Sequence, residues 1–236
     1  GMLIALDRDP EAVAAARALA ADDPRVSVHE RPFDALAGIV RELVPGGCVD
    51  GVLMDLGVSS PQLDDAARGF SFRQDGPLDM RMGADVHTSA AAWIARTSVE
   101  EMARVFRELG EERHARRIAR AIARARAEAP IETTGRLAEI VAAAHPSWER
   151  DRHPATRVFL AIRLHVNDEL GQLERGLEAA VEVLADGGRL VVIAFHSLED
   201  RIVKRFMRDA ERGDPVLRGL PLQGPDPSVR LARIGR

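Results

Sequence analysis

The sequence predicts an α/β fold in which a helix-covered parallel sheet is interrupted by an inserted helical domain. Two observations support this prediction. Short apolar runs alternate with helical patterns over residues 3–56, and the alternation resumes after residue 153. Between them, over residues 66–152, helical patterns recur and no comparable strand pattern occurs. We therefore predict a core domain formed by residues 1–65 and 153–236, and a helical domain formed by residues 66–152.

The first part of the predicted core contains three strands. Their apolar runs cover residues 3–6, 25–29 and 52–56. Helical patterns at residues 11–20 and 35–43 separate these runs, which is the order found in parallel sheets. The third run breaks at once into a polar turn, so its carboxylate is placed at the end of a strand.

The predicted helical domain contains four helices. Their patterns cover residues 90–96, 98–109, 111–128 and 135–144. Ser98 and Glu101 form a capping box at the start of the second helix, and Thr134 is the predicted N-cap of the fourth.

The remainder of the core is predicted to begin with one long helix over residues 155–184. One apolar face of this segment carries Phe159, Ile162, Val166 and Leu170. We expect residues 186–188, Asp-Gly-Gly, to close the helix before a buried strand at residues 189–195 and a helix at residues 201–210. The tail from Gly213 is rich in Pro, Gly and Asp and contains no predicted strand.

Composition limits the class of protein. With 236 residues, 46% of them hydrophobic and 30% charged, the chain is of a globular type. The formal charge of −4 means that any contact with nucleic acid must come from a local basic patch. The single cysteine, Cys48, excludes an internal disulfide and a thiolate metal cluster, and it favours a cytoplasmic location.

Several kinds of segment and site are not predicted. No apolar run approaches the ~20 residues that a membrane span needs, and residues 1–7 lack a signal-peptide pattern. The histidines show no metal-ligand spacing, so no metal site is expected. Without a Gly-x-x-x-x-Gly-Lys loop, a nucleotide triphosphatase is disfavoured.

Two carboxylates are predicted at strand ends. Asp7 follows the first strand and Asp55 ends the third. Open α/β sheets bind ligands at this edge, where an acid can accept hydrogen bonds from ribose hydroxyls. The alternative for Asp7 is a helix cap or a solvated charge, a role that Asp9 fits better. For Asp55 a binding role is favoured, because burying an unpaired acid would be costly.

Other polar and aromatic residues flank the same predicted edge. His196 and Ser197 follow the last strand, and a role in binding or orienting substrate is favoured over nucleophilic attack because no Gly-x-Ser-x-Gly elbow is present. Phe70 and Phe72 either stack on a base or pack between domains. The sequence leaves these two alternatives open.

The clearest surface pattern lies on the predicted helix at residues 111–128. Five arginines fall within about 100° of arc on one face of it. They are Arg113, Arg116, Arg117, Arg120 and Arg124. The opposite face is apolar and carries Ala115, Ile118, Ile122 and Ala125. A basic face of this kind favours phosphate binding, although it could also be solvated or paired with Glu111 and Glu112.

Seven ordered motifs resemble one family, the ribosomal RNA small subunit methyltransferase H family. They are Leu6-Asp-Arg-Asp-Pro10, Asp55-Leu-Gly-Val-Ser-Ser-Pro-Gln-Leu-Asp64, Arg68-Gly-Phe-Ser-Phe72, Gly76-Pro-Leu-Asp-Met-Arg-Met82, Gly110-Glu-Glu-Arg113, His153-Pro-Ala-Thr-Arg157 and Phe195-His-Ser-Leu-Glu-Asp-Arg-Ile-Val-Lys204. The resemblance implies a Rossmann-like class I methyltransferase core with an inserted helical domain. It also implies that S-adenosylmethionine is the cofactor, that small-subunit (16S) ribosomal RNA is the partner, and that N4 of a cytosine is methylated.

The resemblance also implies roles for individual residues. Asp7 would bind the ribose of the cofactor, Phe33 would line its adenine side, and Asp55 and Gln62 would complete the contacts. The acceptor of the proton from the target amine is not identified. The candidates are Asp55, Ser59, Ser60 and His196.

The chain departs from the family pattern in two places. The family's first strand with its Gly-rich loop, and its closing segment, have no counterpart in the sequence, so we expect an incomplete piece of the family's core. Two alternative functions therefore remain: methylation of a small molecule or protein, and cofactor-free binding by a non-catalytic module. The sequence makes no prediction of oligomeric state.

Overall fold

The computed structural model describes residues 1–146, 153–214 and 229–234. The strands are β1 (Leu3–Asp7), β2 (Val26–Glu30), β3 (Val49–Asp55) and β4 (Leu184–Ile193). The α-helices are α1 (Pro10–Ala20), α2 (Leu36–Leu43), α3 (Ser60–Asp64), α4 (Ala90–Arg96), α5 (Val99–Glu108), α6 (Ala115–Glu128), α7 (Thr134–Ala144), α8 (Ala155–Val166), α9 (Glu169–Val183) and α10 (Ser197–Arg212). Short 3-10 helices span Phe33–Ala35 and Ala66–Arg68.

The chain forms two compact units. The first contains Gly1–Asp7, Glu11–Gly57 and Leu170–Arg236, and the second contains Arg8–Pro10 and Val58–Glu169. The sequence placed the domain boundaries after residues 65 and 152, and that division stays a prediction.

The strands of the first unit confirm the α/β fold. β1 pairs in parallel with β2, and β3 pairs in parallel with β4. The expected sheet is divided, because within the described residues these are two separate two-stranded sheets and β1 is not hydrogen-bonded to β3. Both sheets nevertheless pack on the same helices, since Ile4 of β1 and Val52 of β3 contact one cluster that contains Val40 of α2 and Val183 of α9.

The β3–β4 sheet has two unlike faces. Met54 of β3 is buried with Leu173 and Leu177 of α9 and Val203 of α10, and Val192 of β4 packs against them. Successive side chains alternate between the faces of a strand, so the intervening residues face the other way. On that outer face Leu53, Val191 and Ile193 are 66%, 50% and 43% exposed.

Helices α4 to α8 form the core of the second unit. Its fully buried side chains include Met102 and Phe106 of α5, Ile118 and Ile122 of α6, and Ile162 of α8. The helical character predicted for this region is confirmed, and Ser98 caps α5 by accepting a hydrogen bond from the Glu101 N–H at 3.1 Å.

Two predicted helix starts in this unit are wrong. The N-cap of α7 is Thr133, whose hydroxyl accepts from the Arg136 N–H, and Thr134 is the first helical residue. α6 begins at Ala115 because Glu111 adopts a left-handed φ of 50°, which is incompatible with a continuous helix. Arg113 therefore precedes the helix.

The long helix predicted over residues 155–184 is two helices. α8 ends at Val166, and Asp168 has a left-handed φ of 49°. The buried Asn167 side chain accepts from the Met82 N–H at 2.9 Å and donates to the Met80 carbonyl at 2.8 Å. The apolar pattern continues across the break because both helices bury one face, so periodicity alone does not reveal it.

The end of the chain also differs in detail from the prediction. α9 ends at Val183, and β4 begins directly at Leu184 rather than after residues 186–188. The pairing then shifts from Val49 opposite Leu184 to Gly51 opposite Arg189, so residues 185–188 form an irregularity within the strand. α10 starts at Ser197, four residues earlier than predicted. Most of the predicted Pro- and Gly-rich tail lies outside the described residues.

Candidate functional site

The two acidic strand ends lie in the first unit. Asp7 is the last residue of β1 and is opposite Glu30 of β2. Asp55 is the last residue of β3 and is opposite Ile193 of β4. Each carboxylate thus stands at the carboxyl end of a parallel strand, which is the ligand-binding edge of open α/β folds.

The turn after β3 presents Asp55 to solvent. The Leu56 N–H donates to the Ile193 carbonyl at 3.0 Å, which continues the sheet one residue past Asp55. Gly57 then adopts a φ of 94°, a conformation that side chains disfavour, and the chain turns away from the strand. Asp55 itself is exposed, so its carboxylate is accessible to a ligand.

Phe33, the predicted adenine contact, lies in the first unit in the 3-10 helix before α2. Its half-buried ring packs on the cluster of Met54 and Leu177. The ring lies against α9, where a β-carbon added to Gly176 would approach Phe33 Cδ2 to 2.6 Å. Part of the ring is open to solvent, and its position depends on the absence of a side chain at residue 176.

Gln62 lies in the second unit, where its amide bonds to the protein itself. Its Oε1 accepts from the Ser59 N–H at 2.9 Å, and its Nε2 donates to Asp9 Oδ2. Asp9 is 1% exposed and is also paired with the Arg68 guanidinium at 2.8 Å. This Asp9–Gln62–Arg68 cluster was not predicted, although each residue belongs to a family-like motif. Ser59 and Ser60 begin the short helix α3 beside it.

His196 caps the helix that follows β4. Its Nδ1 accepts from the Glu199 N–H at 3.5 Å. Its Nε2 lies 3.0 Å from Glu199 Oε1, although the angle is poor for a hydrogen bond. The ring is therefore held at the start of α10 by its Nδ1, with Nε2 facing Glu199, which favours an orienting role over that of a free base.

Glu199 is the buried partner in this cap and was missed at the level of sequence. Its Oε2 accepts from the Phe195 N–H at 3.0 Å and the His196 N–H at 3.4 Å. Burial would raise the pKa of Glu199, but the adjacent His196 ring and hydrogen bonds from the backbone outweigh it, and the pKa is lowered. The spacing of His196 and Glu199 matches a capping box, which is the signal that could have identified the pair.

Phe70 and Phe72 pack inside the second unit. Phe70 is 6% exposed and belongs to the main apolar cluster. Phe72 packs edge-to-face on Phe159 at 4.8 Å between ring centroids and contacts His153 at 4.7 Å. Phe70 is therefore a core residue and does not stack on a base. Phe72 is half-buried within the second unit, and stacking on a base by this ring stays a prediction.

The five predicted arginines lie together on the surface of the second unit. They and His114 line an open concavity of about 490 Å³. All five are exposed, whereas Ala115, Ile118 and Ile122 on the opposite face are buried. We call this surface the arginine face; its members are Arg113, Arg116, Arg117, Arg120 and Arg124.

The arginine face is not neutralised by nearby acids. Within the described part of the chain, its five guanidinium groups make no hydrogen bond or ion pair with protein. By contrast, Arg104 of α5 is paired with Glu101 and Glu108. Glu112, one predicted acidic partner, is turned inward, is 1% exposed and accepts from the His114 N–H at 2.7 Å. It therefore fixes the chain before α6 and leaves the arginines available.

Two negative observations complete the description. No helix of the described residues is both long and apolar enough to cross a bilayer. No group of three or more His, Cys, Asp or Glu side chains in these residues has the arrangement of a metal site.

Comparison with known proteins identifies close relatives. A family model described as the MraW methylase family matches residues 1–236. A protein of Chromohalobacter salexigens named "Ribosomal RNA small subunit methyltransferase H" is 57% identical over 237 residues, which cover 100% of this chain and 71% of the relative. A protein of the same name from Thioalkalivibrio sulfidiphilus is 57% identical over 224 residues, covering 95% of this chain and 71% of the relative.

Proposed function

The chain belongs to the MraW methylase family, whose members are methyltransferases, and we propose that it methylates the exocyclic N4 of a cytosine in small-subunit ribosomal RNA. The observation that carries this proposal is the 57% identity, over the whole of this chain, to a relative named as a methyltransferase of that RNA. The acidic strand ends and the arginine face support it independently. We expect the protein to act in the cytoplasm, where ribosomal subunits are assembled.

The residues of the first unit suit S-adenosylmethionine as the cofactor. When bound, this cofactor supplies an electrophilic methyl group on a sulfonium. Asp7 offers a carboxylate at the end of β1 that can accept hydrogen bonds from ribose hydroxyls, and Phe33 offers a partly open ring for an adenine. Asp55 adds a second carboxylate, which favours a positively charged group nearby.

The role we assign to Gln62 is indirect. Its amide oxygen and nitrogen are bonded to Ser59 and Asp9, so it is suited to holding the turn rather than to reaching a cofactor with those atoms. A substitution there would first release the buried Asp9 carboxylate.

The acceptor amine needs help from a hydrogen-bond acceptor. Its lone pair is delocalised into the cytosine ring, so it becomes nucleophilic only as a proton is drawn away. Bound S-adenosylmethionine would supply the methyl group and take up the electron pair of the carbon–sulfur bond, and a residue of the chain would have to accept one proton from the amine. Asp55 is the best candidate to hold that proton, because it is exposed while His196 is engaged in its helix cap.

The arginine face suits the RNA backbone. Five exposed cations that have no ion-pair partner among the described residues can each contact a phosphate, and each contact releases counterions. These contacts would position the RNA without reading its sequence.

Replacing Asp55 tests the catalytic part of this proposal. We expect Asp55→Asn to lower the rate of methyl transfer from labelled S-adenosylmethionine to unmethylated small subunits by about 100-fold or more, because a neutral amide neither accepts the proton nor favours the cation. The matched control is Asp50→Asn, which removes an exposed carboxylate from the start of the same strand and should keep the wild-type rate. A wild-type rate in Asp55→Asn would show the assignment to be wrong.

A further inference from the structure

Phe195 is an exposed aromatic side chain beyond the end of β4. It is 71% exposed, and among the large apolar side chains of the described residues it is the only strongly exposed aromatic one. An exposed ring forgoes the stabilisation that burial would give it. It thus forms an accessible apolar surface beside a polar strand end.

The ring lies near Asp55. Val191 and Ile193 of β4 face outward opposite Leu53 and Asp55 of β3, and Phe195 continues their row. A β-carbon added to Gly57 would lie 3.6 Å from Phe195 Cδ2. The ring therefore borders the backbone two residues beyond Asp55.

The backbone of Phe195 is held on both sides. Its N–H donates to Glu199 Oε2 at 3.0 Å, and His196, the next residue, caps α10. β4, which is paired with β3, ends two residues earlier. The ring is thus exposed to solvent while its backbone is held in place. Little conformational entropy is then lost when a ligand binds to it.

We propose that Phe195 stacks on the target cytosine and holds its exocyclic amine beside Asp55. This inference rests on the function proposed above. An enzyme that modifies a base must take it out of the helical stack, and an aromatic ring replaces the lost stacking with little dependence on sequence. Phe70 is unavailable for this purpose because it is buried in the core, and Phe72 is half-buried against Phe159 and His153.

The test compares three substitutions at residue 195. Phe195→Ala and Phe195→Leu remove the aromatic face, and Phe195→Trp keeps one. For the two non-aromatic variants we expect kcat/KM for the RNA substrate to fall about 10- to 100-fold, which corresponds to the loss of one base–aromatic stacking contact. Phe195→Trp should stay within about threefold of the wild type. The affinity for S-adenosylmethionine, measured by calorimetry, and the melting temperature should be unchanged in all three, because the side chain is exposed.

Val191→Ala is the matched control, since Val191 is a half-exposed apolar residue of the same row and should keep the wild-type kcat/KM. The inference is overturned if Phe195→Leu keeps wild-type kcat/KM, or if Val191→Ala loses as much activity as Phe195→Ala. It is also overturned if S-adenosylmethionine affinity falls in parallel with activity, which would identify the ring as a cofactor contact. A wild-type protein that fails to methylate the RNA would instead refute the proposed function.

Discussion

Glu199 shows how one buried carboxylate can organise the end of a strand. It accepts from the backbone N–H groups of Phe195 and His196 and faces the ring of His196. One carboxylate therefore holds both the backbone that follows β4 and the start of α10. Hydrogen bonds to a charged acceptor are stronger than neutral ones, which makes the charge of Glu199 important.

We predict that Glu199→Gln lowers the free energy of unfolding by about 1–3 kcal/mol at pH 7. Because the pKa of Glu199 is lowered on folding, its contribution is present above the unfolded pKa and is lost as the pH falls through the folded value. The difference between wild type and variant should therefore shrink below about pH 4. Denaturant unfolding at both pH values measures it.

Glu174→Gln provides the control for this prediction. Glu174 forms an exposed ion pair with Arg205 at 3.0 Å, so the same substitution there should change the free energy of unfolding by less than about 1 kcal/mol. A pH-independent loss in Glu199→Gln would contradict the role of the charge.

At the residue scale, the sequence predicts which acids lie at strand ends but not which side chains contact one another. Asp7 and Asp55 lie at strand ends because an apolar run that stops at a carboxylate can be recognised without a structure. Gln62 and its hydrogen-bond partner Asp9 are 53 residues apart in sequence, and no local pattern predicts such a contact.

Among the elements, the break between α8 and α9 shows the limit of periodicity. The break depends on Asn167, the only asparagine in the chain, whose buried amide also donates to the Arg163 carbonyl at 2.9 Å. The same side chain also bonds to the loop at residues 80–82, which is distant in sequence. A helical pattern cannot report a partner of that kind.

We predict that Asn167→Ala lowers the free energy of unfolding by about 2–4 kcal/mol, because it leaves the Met82 N–H and the Met80 carbonyl without their partner. Asn167→Asp should cost more at neutral pH, since a carboxylate cannot donate to the Met80 and Arg163 carbonyls and places a buried negative charge against them. Denaturant unfolding of the two variants measures the difference. A smaller loss in Asn167→Asp would indicate that the side chain acts through volume rather than hydrogen bonding.

α6 is the element that the sequence described best. Its arginines and its apolar residues separate at helical spacing, and the structure exposes the first set and buries the second. The error concerned only its start, where the backbone conformation of Glu111 is set by local geometry that the pattern does not encode.

For the whole molecule, the net charge and the arginine face have opposite signs. The chain carries −4, yet five cations that make no ion pair with any described residue share one surface. Electrostatic attraction to RNA must therefore come from this one surface, and the net charge of the chain does not predict it.

We predict that Arg116→Gln with Arg120→Gln weakens binding of small-subunit RNA about tenfold or more near 0.1 M salt and reduces the slope of log affinity against log salt by about 1.4 to 1.8. The control is Arg104→Gln with Arg107→Gln, which removes two exposed charges from α5 and should leave the slope unchanged. Filter binding across a salt series measures both. An unchanged slope in the first pair would favour a substrate other than RNA.

The fold class and the helical character of the second unit could be predicted, because alternation and periodicity are local properties of the sequence. The division of the strands into two sheets could not, because strand pairing is decided by contacts between distant segments. For the same reason the sequence left open whether Phe70 and Phe72 stack on a base, and only burial separates Phe70 from Phe195.

The close approach of Phe33 and Gly176 has an evolutionary consequence. With ring carbons 2.6 and 2.7 Å from where a β-carbon would stand, residue 176 cannot gain a side chain while the ring at 33 keeps its place. A larger residue at 176 becomes tolerable only after the ring at 33 has been lost or displaced. The two positions should therefore covary among homologues, with the change at residue 33 preceding the change at residue 176.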